Sequence, residues 1–138
     1  LPLPVASYEP AVIHGDLIYS AGQTGTVGQK LVLVGKLGAG ITVEEGRESA
    51  RLCLLNCLSE LHHTLGDLNF IERFVKMTGF VASAPGFVRQ PEVVEGASRL
   101  LLDIFGDRGR HARSAIGVAE LPYGAPVEIE LIAAIRPA

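Results

Sequence analysis

The sequence predicts an α+β fold: one domain, spanning 1–138, with a mixed β-sheet and two helices packed on one of its faces. Three observations predict it. Two stretches, 42–66 and 91–107, carry apolar residues at helical spacing between start and stop signals. Short apolar runs bounded by turn residues surround them, at 11–23, 30–38 and 71–83 and as two strands within 111–135. The resulting order, β-β-(β)-α-β-α-β-β, leaves two helices to cover one side of one sheet. A chain of 138 residues suits a single domain and buries roughly two thirds of its extended surface without staples.

The elements follow in order. "AVIHGDLIYSAGQ" (11–23) reads as a strand, a tight His14-Gly15-Asp16 turn and a second strand. "AGQTGTVGQ" is glycine-rich but lacks the Lys-Ser/Thr ending of a phosphate loop. "KLVLVGKLG" (30–38) is a third strand candidate. In 42–66, Thr42 and Glu45 have the spacing of a capping box. Ala50, Leu54, Cys57, Leu58, Leu61 and Leu65 form one stripe, and Gly66 is placed to end the helix. The strand 71–83 contains Gly79, a candidate bulge. Pro91 sits in the first turn of the second helix, whose stripe is Val94, Ala97, Leu101 and Ile104 or Phe105. "LPYGAP" then reads as the turn between the last two strands.

Two helices leave the second sheet face bare. Ile18, Phe74, Phe80, Ile116 and Ile129 are assigned to that face, and the simplest cover for it is another copy of the same sheet. The expectation is a homo-oligomer with clefts between subunits.

Composition narrows the function. Apolar residues make up 48% and charged residues 20%, a globular balance. A net charge of −3 and a pI near 5.8 argue against a general phosphate-backbone binder, so nucleic acid is not the expected partner. No apolar run approaches the roughly 20 residues that span a bilayer, and "LPLPVASYEP" lacks the pattern of a secretory signal. Cys53 and Cys57 lie four apart in a helix, poorly placed for a disulfide. They read as small buried apolar groups, with no second pair of ligands to make a metal site. Reduced thiols fit a cytoplasmic protein.

The stretch "HARSAIGVAELPYGAPVEIELIAAI" (111–135) carries the chemistry. Arg113 stands among small and apolar residues, where a guanidinium is costly unless paired. It either forms a salt bridge to Glu128 or Glu130 on the neighbouring strand or grips a ligand carboxylate through two parallel hydrogen bonds. Glu128 and Glu130 are two apart and share a side of their strand. They form either a solvated face or a carboxylate at a cleft, able to act as a general base. Gly22, ending a strand in "YSAGQ", would let a ligand approach the backbone. Tyr8 reads as a surface ring. His14, His62 and His63 suggest turn and surface positions, while His111 could lean toward Arg113.

"GDLIYSAGQTG" (15–25) and "VVEGASRLLLDIFGDRGRHARSAIGVAELPYGAPVEIELIA" (93–133), with the helix and strand between them, resemble the YjgF/Rid family of reactive intermediate deaminases, also known as the liver perchloric-acid-soluble protein family. The resemblance covers nearly the whole chain. It implies a chorismate-mutase-like fold and a homotrimer with a central sheet-lined barrel and three inter-subunit clefts. It also implies cofactor-free hydrolysis of 2-imino acids to 2-keto acids and ammonia, as by a 2-iminobutanoate/2-iminopropanoate deaminase. On that resemblance Arg113 binds the substrate carboxylate and Glu128 positions the attacking water. Tyr8, Gly22, Gly96 and the backbone N–H of Ala115 line the cleft. Two departures bear on specificity: Glu95-Gly96 stands where the best-studied deaminases have an asparagine, and Ala115 stands where many have cysteine. The competing expectations are a non-catalytic protein that binds small carboxylates or keto acids and, further off, RNA cleavage or translation inhibition. A chorismate mutase should carry more cationic groups than this chain does.

Overall fold

Short strands open the chain because its turns are glycine turns. β1 (Ala11–His14) and β2 (Leu17–Ser20) form a hairpin around Gly15, whose φ of 65° suits a residue without a Cβ. The computed structural model describes residues 6–137; 1–5, the start of the N-terminal stretch read above, lie outside them. β3 (Gln23–Thr24) is followed by β4 (Thr26–Val27) and β5 (Lys30–Leu31), which pair with each other, and by β6 (Lys36–Leu37) and β7 (Gly40–Ile41). The single strand expected over 30–38 is therefore two dipeptide strands. Gly35, at φ 139°, lies between them and breaks the extended run.

α1 (Val43–Leu65) starts as its sequence dictates. Glu45 N donates to Thr42 Oγ1 at 3.1 Å, and Thr42 N donates to Glu45 Oε1 at 3.0 Å. Gly66, at φ 82°, ends it by donating its N–H to the His62 carbonyl at 2.7 Å. β8 (Ile71–Ala82), α2 (Gln90–Phe105), β9 (Ala112–Val118) and β10 (Val127–Ile135) complete the chain. Phe105, not Ile104, closes the α2 stripe. Its ring lies 4.8 Å from that of Phe74, while Ile104 is exposed.

The main sheet runs β1-β2-β10-β8-β9, with β3 pairing the first part of β10. Both helices pack on one face, over a core that includes Leu54, Cys57, Leu61, Met77, Leu101 and Ile129. This is the α+β architecture expected, a mixed sheet with two helices on one side. β9 runs parallel to β8 and β10 antiparallel to it. The "LPYGAP" segment therefore does not close a hairpin. It carries the chain across the end of β8, where Ala82 N donates to the Pro126 carbonyl at 2.9 Å. Arg113 and the Glu128–Glu130 pair are consequently not on neighbouring strands.

Three residues assigned to the uncovered face belong to the core: Ile18, Phe74 and Ile129 are all fully buried under the helices. The reason is local. β8 breaks register against β10 at Val75, so Phe74 pairs Ala133 while Lys76 pairs Ile132, and the side-chain parity flips. Ile129 alternates with Glu128 and so takes the helix side, and Ile18 alternates with Tyr19 in the same way. Phe80 and Ile116 do face outward, with Val12, Tyr19, Lys76, Glu128 and Ile132 around them. Gly79 is in regular register rather than at a bulge. A Cβ there would sit 2.5 Å from Val94 Cγ2, so the missing side chain lets α2 lie close on the sheet.

Candidate functional site

Glu128 is set on the outward face of β10 by alternation: Val127 and Ile129 on either side are buried, and Glu128 itself is half-buried. Its carboxylate points to a cavity of about 990 Å³ whose lining includes Tyr8, Tyr19, Gly22, Gln23 and Tyr123. The carboxylate reaches that wall because Gly22 has no side chain. A Cβ there would lie 3.0 Å from Glu128 Cδ and nearer still to Oε2. Burial raises the Glu128 pKa from its ordinary value, and the charge of Glu130 adds to the effect.

Beneath this cavity lies a residue the sequence reading passed over. Glu60, on α1, is 1% exposed, and its Oε2 accepts from Gln23 Nε2 at 2.9 Å. Its other oxygen has no partner among the described residues. Burial pushes its pKa up to about 8, the Gln23 bond pulling the other way. A signal existed: Cys53, Cys57 and Glu60 are spaced four and three apart, so Glu60 falls on the buried stripe. The two thiols are free and donate to β10 carbonyls, Cys53 to Val127 at 3.3 Å and Cys57 to Ile129 at 3.1 Å. Burial raises both thiol pKa values, with Glu128 adding for Cys53 and Glu60 for Cys57. No cluster of three potential metal ligands occurs among the described residues.

Arg113 lies elsewhere. Its Cα pairs Met77, a helix-side residue, so its side chain rises on the helix face of the edge strand β9. Nη1 donates to Glu95 Oε1 at 2.9 Å and to Ser98 Oγ at 3.2 Å, both on α2. The salt-bridge partner is thus Glu95, not Glu128 or Glu130. Glu95, Ser98, Leu102, Arg110, His111 and Arg113 line a second cavity of about 260 Å³. His111, placed by the sequence two residues from Arg113, is part of it, 2.9 Å from Ser98 Oγ through Nε2.

The fold therefore separates the expected site residues into two groups. Tyr8, Gly22 and Glu128 share the large cavity, while Arg113 sits on the other face of the sheet with β8 between. Ala115, two residues on from Arg113 and on its side of β9, is half-buried and pairs Gly79. Gly96 is positioned by packing: a Cβ there would collide with the Arg47 backbone carbonyl, so its bareness lets α2 approach α1. His14, His62 and His63 are exposed.

Residues 3–134 match the family model described as "YjgF/chorismate mutase-like, putative endoribonuclease". The chain belongs to this family. It is 42% identical over 130 residues to protein TCP17 of Trypanosoma cruzi, covering 94% of this chain and 81% of that one. The crystal structure of Atu1372 from Agrobacterium tumefaciens, a protein of unknown function, is 43% identical, with a TM-score of 0.93 over 98% of this chain and 87% of that one. Escherichia coli TdcF with bound serine is 21% identical, with a TM-score of 0.68 over 99% of this chain and 93% of that one, and shows the shared fold alone. Among the described residues no helix is long and apolar enough to cross a membrane.

Proposed function

We propose that this protein hydrolyses reactive 2-imino acids to 2-keto acids and ammonia without a cofactor, in clefts between copies of a homotrimer. The observation that carries this reading is Glu128: a half-buried carboxyl of raised pKa, facing a cavity against a glycine that gives it room. A carboxylate with raised proton affinity is a better base near neutrality. It would orient a water at the imine carbon, take its proton as the C–O bond forms, and return a proton to the departing nitrogen. The substrate's C=N bond is already electrophilic, so placement contributes most of the rate.

Arg113 would hold the substrate carboxylate, matching its planar donors to the two oxygens. Within one protomer it faces away from Glu128, so both act on one ligand only if β9 of one copy meets the large cavity of another. The outward sheet face supports this arrangement. Val12, Tyr19 and Ile116 are 51%, 40% and 44% exposed there, an apolar surface suited to a second copy. Tyr8, Gly22 and the backbone of Ala115 would line the assembled cleft. The free, buried thiols suit a reducing compartment such as the cytoplasm.

The test generates imines from several L-amino acids with an amino-acid oxidase and traps the remainder with semicarbazide. Wild type should speed imine loss. Arg113→Ala and Glu128→Gln should each slow it by about a hundredfold, the order lost with a charged contact or a general base. A trimeric protein that accelerates no imine would instead be a binding protein for small carboxylates.

A further inference from the structure

We infer that the Glu95–Arg113 pair is a receptor for a zwitterion, with Arg113 reading the substrate carboxylate and Glu95 reading the positively charged nitrogen on the adjacent carbon. This deepens the function proposed above and rests on Arg113 being its carboxylate-binding group.

In the second cavity the side chain of Glu95 is 51% exposed and that of Arg113 24%, and an ion pair this wet adds little to folding. Arg110, on the same rim, is matched by Asp107 at 3.1 Å. Both arginines are thus already compensated. A simple anion entering here would share a guanidinium with Glu95 and lie against its carboxylate. A ligand carrying both charges on adjacent carbons meets an opposite charge at each end.

The geometry also fixes the arginine. The Gly109 carbonyl can only accept, so the His111 Nδ1 that lies 2.6 Å from it carries the proton. In the neutral ring Nε2, a nearer and stronger acceptor than the Met77 Sδ at 3.6 Å, then accepts from the Ser98 hydroxyl at 2.9 Å. That leaves the Ser98 oxygen lone pairs for Arg113 Nη1 at 3.2 Å. Both hydrogen bonds that hold the guanidinium therefore use Nη1, among the described residues. Its remaining donors are left for a ligand in the 260 Å³ cavity.

A protonated 2-imino acid carries this charge pattern. Its hydrolysis, C=NH₂⁺ + H₂O → C=O + NH₄⁺, removes the positive group and turns a zwitterion into an anion. The contact with Glu95 is lost with it, and the keto acid is left facing a carboxylate. Glu95 would in this way favour substrate over product.

Calorimetric titration with L-alanine and with L-lactate tests this, since the two differ by an ammonium against a hydroxyl. Wild type should bind L-alanine about tenfold or more tightly than L-lactate, the order of one charge-assisted hydrogen bond. Glu95→Gln should abolish that preference by weakening L-alanine alone, and Arg113→Ala should lose both ligands. If Glu95→Gln tightens both ligands, Glu95 merely competes for the arginine, and the inference is overturned. An unchanged preference in Glu95→Gln overturns it as well. If Arg113→Ala still binds both, the underlying assignment of Arg113 has failed, which is a separate and recognisable result.

Discussion

Replacing Glu60 with glutamine should change how stability depends on pH. In the folded protein Glu60 holds its proton up to about 8, against an ordinary 4.5. Between those values the folded state binds a proton that the unfolded state has released. Stability from this group is therefore fully present below about 4.5, falls as pH rises, and is gone above about 8. At about 1.4 kcal/mol per decade of proton affinity, the total is about 5 kcal/mol. Of that, about 1 kcal/mol is already lost at about pH 5 and nearly all by about pH 8.5, leaving about 4 kcal/mol between the two. Glu60→Gln keeps an oxygen that can accept from Gln23 and carries no charge at either pH. The assay is urea denaturation of both proteins at the two pH values and one protein concentration. Histidines and other carboxylates cancel in the comparison. The stability of Glu60→Gln relative to wild type should rise by several kcal/mol from the lower pH to the higher. Parallel slopes for the two proteins would refute the assignment of a buried, neutral Glu60 beneath Gln23.

Gly22→Ala should push the Glu128 carboxylate away from its wall, since the new methyl falls on a flexible side chain rather than on backbone. Imine turnover should drop severalfold or more while the melting temperature moves little. Gly96→Ala forces a methyl against the Arg47 carbonyl and should cost about 1–3 kcal/mol by chemical denaturation, as overpacking does. Cys53 and Cys57 should resist a thiol reagent in the folded protein and react in denaturant, because burial holds both protonated.

Local chemistry was readable in the sequence; non-local pairing was not. Thr42, Glu45 and Gly66 mark the bounds of α1 because a cap depends only on residues within a few positions of it. The partition of Arg113 from Glu128 could not be read the same way. A proline-glycine turn between two strands looks alike whether they pair or a third strand lies between them. Strand parity failed for Phe74 because a register break at Val75 leaves no mark in composition. Glu95 and Ser98 were within reach, since an arginine among apolar residues demands partners. The strand that follows Arg113 lies beyond β8, and the helix that precedes it supplies them. Glu60 was hidden by its neighbours: one carboxylate among leucines and cysteines reads as surface until its spacing is counted.

The place of β10 bears on how the protein is made. It is the last strand in chain order among the described residues, yet it lies between β2 and β8 and also holds β3. As the chain leaves the ribosome, β2, β3 and β8 appear first, each with an edge waiting for a strand that does not yet exist. α1 can coil early on local signals, but the surface it should cover is incomplete. Folding is thereby deferred until synthesis reaches the 127–135 segment, and until then the apolar strand edges need protection from pairing with other chains. A nascent chain stalled before residue 127 would be the species that chaperones meet.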